Sequence, residues 1–408
     1  MAKPDPKAVQ ELSDWMIETA LRVSDYEFML PEFCDRLREM GTPVTRVSMG
    51  MTTLHPLMEA FTLLWTSKHG TGEMEFHVHA SDENESWRRS PLKTLVDSGE
   101  TEARYDLSSP GPWTQYPLLQ DLAADGITDY VVFLVLFSEA KTTLARQDGM
   151  LTSWATDREG GFSDEQMVTL KRLIPRFGLV AKLANRERLT QNIATAYLGE
   201  KASQRVLDGQ IKLGDGQNIR AVIWFSDMRN STLLAERLSP DEYLDLLNDY
   251  FDALAGAVIK NGGEVLRFIG DAALAIFPIG EDGCTVTDAS RRALRATTMA
   301  ASRADHRNAA RISDGREPFE YGIGLHVGDI MYGNIGVPSR IEFSVIGAAA
   351  NEAARIEGLT KTLGETVLVS EAFAKGIVTP WRDLDKHAIR GSEHQITVFA
   401  PPGNEPEG

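Results

Sequence analysis

Two apolar runs, AVIWFSD and EVLRFIGD, constrain this chain more than any other feature. Each is a short β-forming segment, and each delivers an aspartate, Asp227 and Asp271, to its end. Between them Ser239-Pro240-Asp241-Glu242 reads as a helix start, with an N-cap serine, proline at the first helical position and glutamate three residues after the cap. Tyr243, Leu246, Leu247, Tyr250, Phe251, Leu254 and Val258 supply the buried stripe. Gly262 stands where a left-handed C-cap is wanted. Strands over 264–269 and 272–277, joined through Gly270-Asp271, a helix over 287–303, strands over 319–327 and 342–346 and a helix over 349–362 complete the pattern. The order βαββαβ with a tail predicts a ferredoxin-like α+β fold.

That order brings the strand ends carrying Asp227 and Asp271 to one edge of a sheet. Taken singly, each aspartate is an ordinary turn or capping residue. Together they offer hard oxygen ligands suited to Mg²⁺ or Mn²⁺. Met228-Arg229-Asn230-Ser231-Thr232 lies between the first strand and a helix, where turn N–H groups converge on an anion. Metal plus anion indicates phosphate chemistry, with two ions per site.

The N-terminal part reads as a separate α+β module. Helices are expected through about Val23 and over 27–40, strands at 47–51, 74–79, 130–137 and 150–156, and a loop at SSPGPW. From Ser163 a helical connector begins, with Leu170, Ile174, Phe177, Ala181 and Ala184 at three- and four-residue spacing. That stripe pairs either with the same helix of a second chain or with its own domain, and Pro175 and Gly178 weaken a continuous coiled coil. A second amphipathic segment follows over 189–207. The expected boundaries are 1–162 for the sensor-like module, 163–216 for the connector, 217–400 for the C-terminal module and 401–408 for a disordered tail.

With 59 acidic against 42 basic residues, the net charge of −17 repels nucleic acid and anionic lipid, so neither is an expected partner. Two distant cysteines, Cys34 and Cys284, imply neither a disulfide framework nor structural zinc, and a reducing cytoplasm is expected. The apolar run YVVFLVLF is far too short to span a bilayer. His326 reads as a packed strand residue, and His77 and His79 lack a third metal ligand.

Four segments in order, FSDMRNST, RFIGDAALAIF, GIGLHVGDIMYGNIG and FSVIGAAANEAARIEGL, resemble the class III adenylate/guanylate cyclase catalytic domain. The Tyr197-to-Gly216 stretch is similar to the transducing element preceding many bacterial members. The resemblance implies that Asp227, Asp271 and the Met228 carbonyl bind two Mg²⁺ or Mn²⁺ ions. It implies that Asn351 and Arg355 are the transition-state pair, supplied by the partner chain of a homodimer. Asn230, Ser231 and Thr232 fall in its phosphate loop, and Arg390 at a position contacting terminal phosphates. Base recognition falls to Arg267, where the family has Lys, and to Ser344, where Asp or Thr is usual. Arg is larger and planar, and Ser retains a hydroxyl acceptor. Asn230 stands where Gly is common and tolerates a left-handed turn.

The implied activity is an adenylate cyclase converting ATP to 3′,5′-cyclic AMP and pyrophosphate. The alternatives are a guanylate cyclase and a non-catalytic nucleotide-binding module on the same fold. The N-terminal module resembles a GAF-type sensor domain in layout and in its closing FSDEQMVTLKRLIP helix. It would bind a small molecule and regulate the catalytic module, or only dimerise.

Overall fold

The computed structural model describes residues 5–23, 25–52, 58–72, 74–78, 85–137, 149–214, 216–388 and 395–402. Arg390, His79 and the 403–408 end of the expected tail lie outside them. The chain divides into two compact units, Met1–Ala196 and Tyr197–Gly408.

The first unit opens with helices α1 (Pro6–Ala20) and α2 (Tyr26–Glu39), each capped by an aspartate, Asp5 and Asp25, that accepts from a main-chain N–H of the first turn. Strands β1 (Arg46–Thr52), β2 (Met58–Thr66), β3 (Gly70–Thr71) and β4 (Glu75–Val78) follow, then α3 (Glu85–Arg88) and α4 (Pro91–Ser98). After these come β5 (Glu102–Asp106), α5 (Pro117–Ala124), β6 (Asp129–Leu136), β7 (Gly149–Thr156) and α6 (Asp164–Leu198). The sheet order is β3-β2-β1-β7-β6-β5, with β4 on β2. α1, α2 and α6 cover one face through Met29, Phe33, Trp154 and Phe177, and α4 and α5 cover part of the other through Leu95 and Leu119. β2 and β5 escape the sequence reading because neither carries a clean alternation bounded by turn residues.

α6 runs unbroken through Pro175 and Gly178 for 35 residues, and its packing decides between the two expected partners of its stripe. Leu170, Ile174, Phe177, Ala181 and Ala184 are buried in the first unit's own core, so the stripe packs back on its own domain. Gly178 permits this, since a Cβ there would lie 2.9 Å from Val135 Cγ1. The amphipathic segment at 189–207 is likewise not one helix. It breaks at Gly199, whose φ is +82°, and restarts as α7 (Glu200–Leu207) in the second unit.

The second unit continues with β8 (Gly216–Met228), α8 (Ser231–Arg237), α9 (Pro240–Lys260), β9 (Glu264–Ile269), β10 (Ala272–Ile279) and α10 (Val286–Ser313). β11 (Tyr321–Val337), β12 (Arg340–Ile346), α11 (Ala348–Leu363), β13 (Val367–Ser370), α12 (Glu371–Ala374), β14 (Arg382–Ala388) and β15 (Gln395–Ala400) follow. The Ser239/Glu242 capping box forms as read, with Ser239 N donating to Glu242 Oε2 at 2.9 Å. The sheet order is β14-β15-β13-β11-β8-β10-β9, with β12 on β11. Its core, β11-β8-β10-β9, is the ferredoxin-like order of a βαββ(αβ) chain.

Alternation along β8 sends Val222 and Trp224 toward α9 and α10, and Ala221 and Ile223 toward α11. The segment before β8 is tied to this unit: Asn334 Nδ2 donates to the carbonyls of Gln210 at 2.8 Å and Lys212 at 3.2 Å. No helix among the described residues is long and apolar enough to cross a membrane.

Candidate active site

The site grows from the central strand pair. Asp227 lies two residues beyond Phe225 in the alternation of β8, so its side chain projects on the α11 face. Across the antiparallel ladder Asp227 is paired with Ala272. Asp271 immediately precedes that residue in the two-residue turn Gly270–Asp271, which Gly270 closes with φ +63°. Two carboxylates thus meet at adjoining strand ends. The Asp227 carboxyl is pushed up to about 6, by burial first, then by the charge of Asp271 and a hydrogen bond to it, against the pull of the Met228 main chain. Such a pair favours a cation. Among the described residues no cluster of three or more His, Cys, Asp or Glu could hold a metal ion. Two carboxylates at adjoining strand ends are hard oxygen donors of the kind Mg²⁺ or Mn²⁺ takes.

The loop after Asp227 is pinned. Arg229 N donates to the Glu320 carbonyl at 2.9 Å, and its guanidinium donates to the Glu365 carbonyl at 2.7 Å. Asn230 takes the left-handed conformation its side chain tolerates, φ 58° and ψ 23°. Ser231 and Thr232 open α8 directly behind it.

A third carboxylate, absent from the sequence reading, approaches from α11. Gly322 faces Asp227 across the β8–β11 ladder. Gly322, Gly324 and Gly328 let the helix ride close on β11: a Cβ on Gly324 would come 2.5 Å from Glu357 N. Glu357 therefore sits beside the pair, and its carboxyl is pushed up to about 7. Burial contributes most, then the charge of Asp227, while Thr360 and Arg229 oppose. The signal for Glu357 was its place flanking the stripe Ala349, Ala353, Ile356 and Thr360.

Asn351 and Arg355 stand elsewhere. At 3.6 residues per turn they lie about half a turn from that buried stripe, on the side of α11 facing away from the sheet. The chain does not bring them to its own aspartates. Arg267 forms an ion pair with Glu342 of β12. Ser344, two residues along on the same strand face, is buried. The two base-recognition candidates thus share one corner, with Glu342 as an addition the sequence did not flag. His326 is packed, with Nδ1 2.9 Å from Ser370 Oγ and Nε2 3.1 Å from Glu352 Oε2. His77 contacts Thr62.

Residues 216–399 match the Adenylate and Guanylate cyclase catalytic domain family, and this part of the chain is a class III cyclase catalytic domain of that family. It is similar to an adenylate cyclase of Anabaena cylindrica, 33% identical over 198 residues, 46% of this chain and 38% of that protein. It is also similar to adenylate cyclase 1 of Rhizobium meliloti (strain 1021), 27% identical over 209 residues, 51% of this chain and 28% of that protein. The chain thus spans well under half the length of either relative. A solved bacterial light-regulated adenylyl cyclase is 26% identical, covering 45% of this chain and 91% of its own, with a TM-score of 0.40.

Proposed function

We propose that the C-terminal unit converts ATP to 3′,5′-cyclic AMP and pyrophosphate as a homodimer, and that the N-terminal unit regulates it. The observation that carries the reading is the meeting of Asp227 and Asp271, with the Asp227 carboxyl held up to about 6. A divalent ion there supplies charge neutralisation for the triphosphate and lowers the pKa of the ribose 3′-hydroxyl. Asp227 and Asp271 would hold that ion at the strand ends. The turn at Asn230, Ser231 and Thr232 offers main-chain N–H groups to phosphate oxygens. The 3′-hydroxyl gives up its proton to solvent, the bond from O3′ to the α-phosphorus forms as the bond from that phosphorus to the bridging oxygen breaks, and pyrophosphate leaves. Asn351 and Arg355, turned away from their own aspartates, serve the nucleotide of the partner chain, Asn351 orienting the ribose and Arg355 stabilising charge on the phosphorus. Arg267 and Ser344 address the base, and Arg390 the terminal phosphates. The names of the two curated relatives favour ATP.

One observation favours GTP instead. The Glu342 carboxylate beside Arg267 has the acceptor geometry for the N1–H and N2–H₂ edge of guanine, and Arg267 the donors for O6. Competition of ATP and GTP in one reaction with Mn²⁺ tests the assignment. Cyclic AMP as the main product is expected. Predominant cyclic GMP would move the chain to guanylate cyclases, and absence of both products would leave a nucleotide-binding module.

A further inference from the structure

β11 meets α11 through a row of residues that is almost bare. Gly322, Gly324, His326, Gly328 and Ile330 form that row, while Ile323, Leu325 and Val327 between them point the other way, into the core beneath α9 and α10. The glycines let the helix lie against the strand backbone: a Cβ on Gly328 would strike Ala349 and come within 3.0 Å of His326 Nε2. Small groups meeting backbone bring a helix close but hold its rotation weakly, since its ridges have few grooves to enter. His326 is the one polar side chain in the row.

Both ring nitrogens of this buried histidine are engaged, Nδ1 2.9 Å from Ser370 Oγ and Nε2 3.1 Å from Glu352 Oε2. Ser370 is the N-cap of α12, and its Oγ already accepts the Phe373 N–H at 3.2 Å. Its O–H is left to donate to Nδ1, which makes Nδ1 the acceptor of a neutral ring and Nε2–H the donor to Glu352. Burial lowers the imidazole pKa, the Glu352 charge opposes and Arg220 assists, so the neutral ring is favoured. The hydrogen bonds thus run in one direction, from the Phe373 main chain through Ser370 and His326 to a carboxylate on α11. Glu352 directly follows Asn351 and precedes Arg355 by three residues.

We propose that His326 and Glu352 are positioning residues that set the rotation of α11 and so aim Asn351 and Arg355, a role that rests on those two serving the nucleotide of the partner chain. At 3.6 residues per turn Arg355 lies about 60° and Asn351 about 100° around the helix from Glu352, so one tether governs where both project. A helix with its side chains is about 5–6 Å in radius, and a roll of about 10° carries groups at that radius by about 1 Å. Misplacement of that size costs about 100-fold in a reaction that depends on orientation.

The test is cyclic AMP formation by the full chain with Mn²⁺. Glu352→Ala should lower kcat by about 10- to 100-fold and leave KM for ATP within about twofold. Glu352→Gln keeps an acceptor oxygen for Nε2–H and should stay within about threefold of wild type. His326→Leu should lose as much as Glu352→Ala, and the double variant no more than either; losses that multiply would break the pairing. Mixing variants then locates the effect. Glu352→Ala mixed with Asp271→Asn should recover up to about a quarter of wild-type activity, because the mixed dimer holds one site with intact aspartates and an intact α11. Mixed with Arg355→Ala it should not exceed Glu352→Ala alone, since both lesions then lie on the same helix. A general loss of structure would not sort in this way. An unchanged kcat in Glu352→Ala, recovery with Arg355→Ala, or none with Asp271→Asn would overturn the proposal. If Asp271→Asn and Arg355→Ala do not complement each other, the two-chain reading of the site has failed, and the role of Glu352 with it.

Discussion

Asp271→Asn should separate stability from activity. In the folded chain the Asp227 carboxyl stands at about 6 against an ordinary 3.8. A raised carboxylate pKa means the folded state holds a proton more readily than the unfolded chain. The resulting penalty is therefore full above pH 6, fades as pH falls from about 6 to 3.8, and is absent below that. The whole shift corresponds to about 3 kcal/mol, of which Asp271, ranking behind burial, owns only a part. Solvent screening at a partly open site trims this to about 1 kcal/mol. In EDTA at pH 7.5 the variant should melt about 2–4 °C above wild type, and the difference should shrink toward zero by pH 4.5. Millimolar Mn²⁺ should reverse the order by stabilising wild type alone, while product formation falls by at least about 100-fold. Calorimetry across that pH range with EDTA or Mn²⁺ gives the answer. A variant less stable than wild type in EDTA, or a gap that does not change with pH, would refute the argument that the two carboxylates repel across a shared ion site.

Other outcomes follow from the same geometry. Asp271→Asn and Arg355→Ala should each be inactive alone, yet mixing them should restore up to about a quarter of wild-type activity, because a mixed dimer contains one intact site; no recovery on mixing would place all catalytic groups on one chain. Glu357→Gln keeps the side chain's shape beside Thr360 and removes a charge held up to about 7, so in EDTA it should raise the melting temperature at pH 8 by about 2–4 °C and leave it unchanged at pH 4.5; equal shifts at both values would show that the Glu357 carboxyl is not raised in the folded chain. Gly324→Ala forces a Cβ to within 2.5 Å of Glu357 N, so α11 must lift, at a cost of about 1–3 kcal/mol by urea unfolding and with loss of product; an unchanged midpoint would mean the helix does not ride on that glycine.

Much of the catalytic unit was legible because its signals are local. The capping box at Ser239, the apolar stripe of α9 and the alternation along β8 and β10 act within a few residues and survived unchanged. Asn230 was placed in a left-handed turn for the same reason. The connector stripe left two partners open, because spacing along a helix does not say which apolar surface it will meet. Gly178 is a point of close approach, and the stripe beside it found its partner in its own sheet.

From the sequence alone came the identity of the strand-end carboxylates and the strand order that brings them together, while Asn351 and Arg355 of α11 were pointed to by the resemblance. Tertiary structure alone decided two things. It set Glu357 beside Asp227, because glycines on β11 let a helix approach closely. It paired Arg267 with Glu342, because β12 folds back along β11. Each depends on charges and contacts between residues far apart in the chain, and periodicity within a segment carries no record of those.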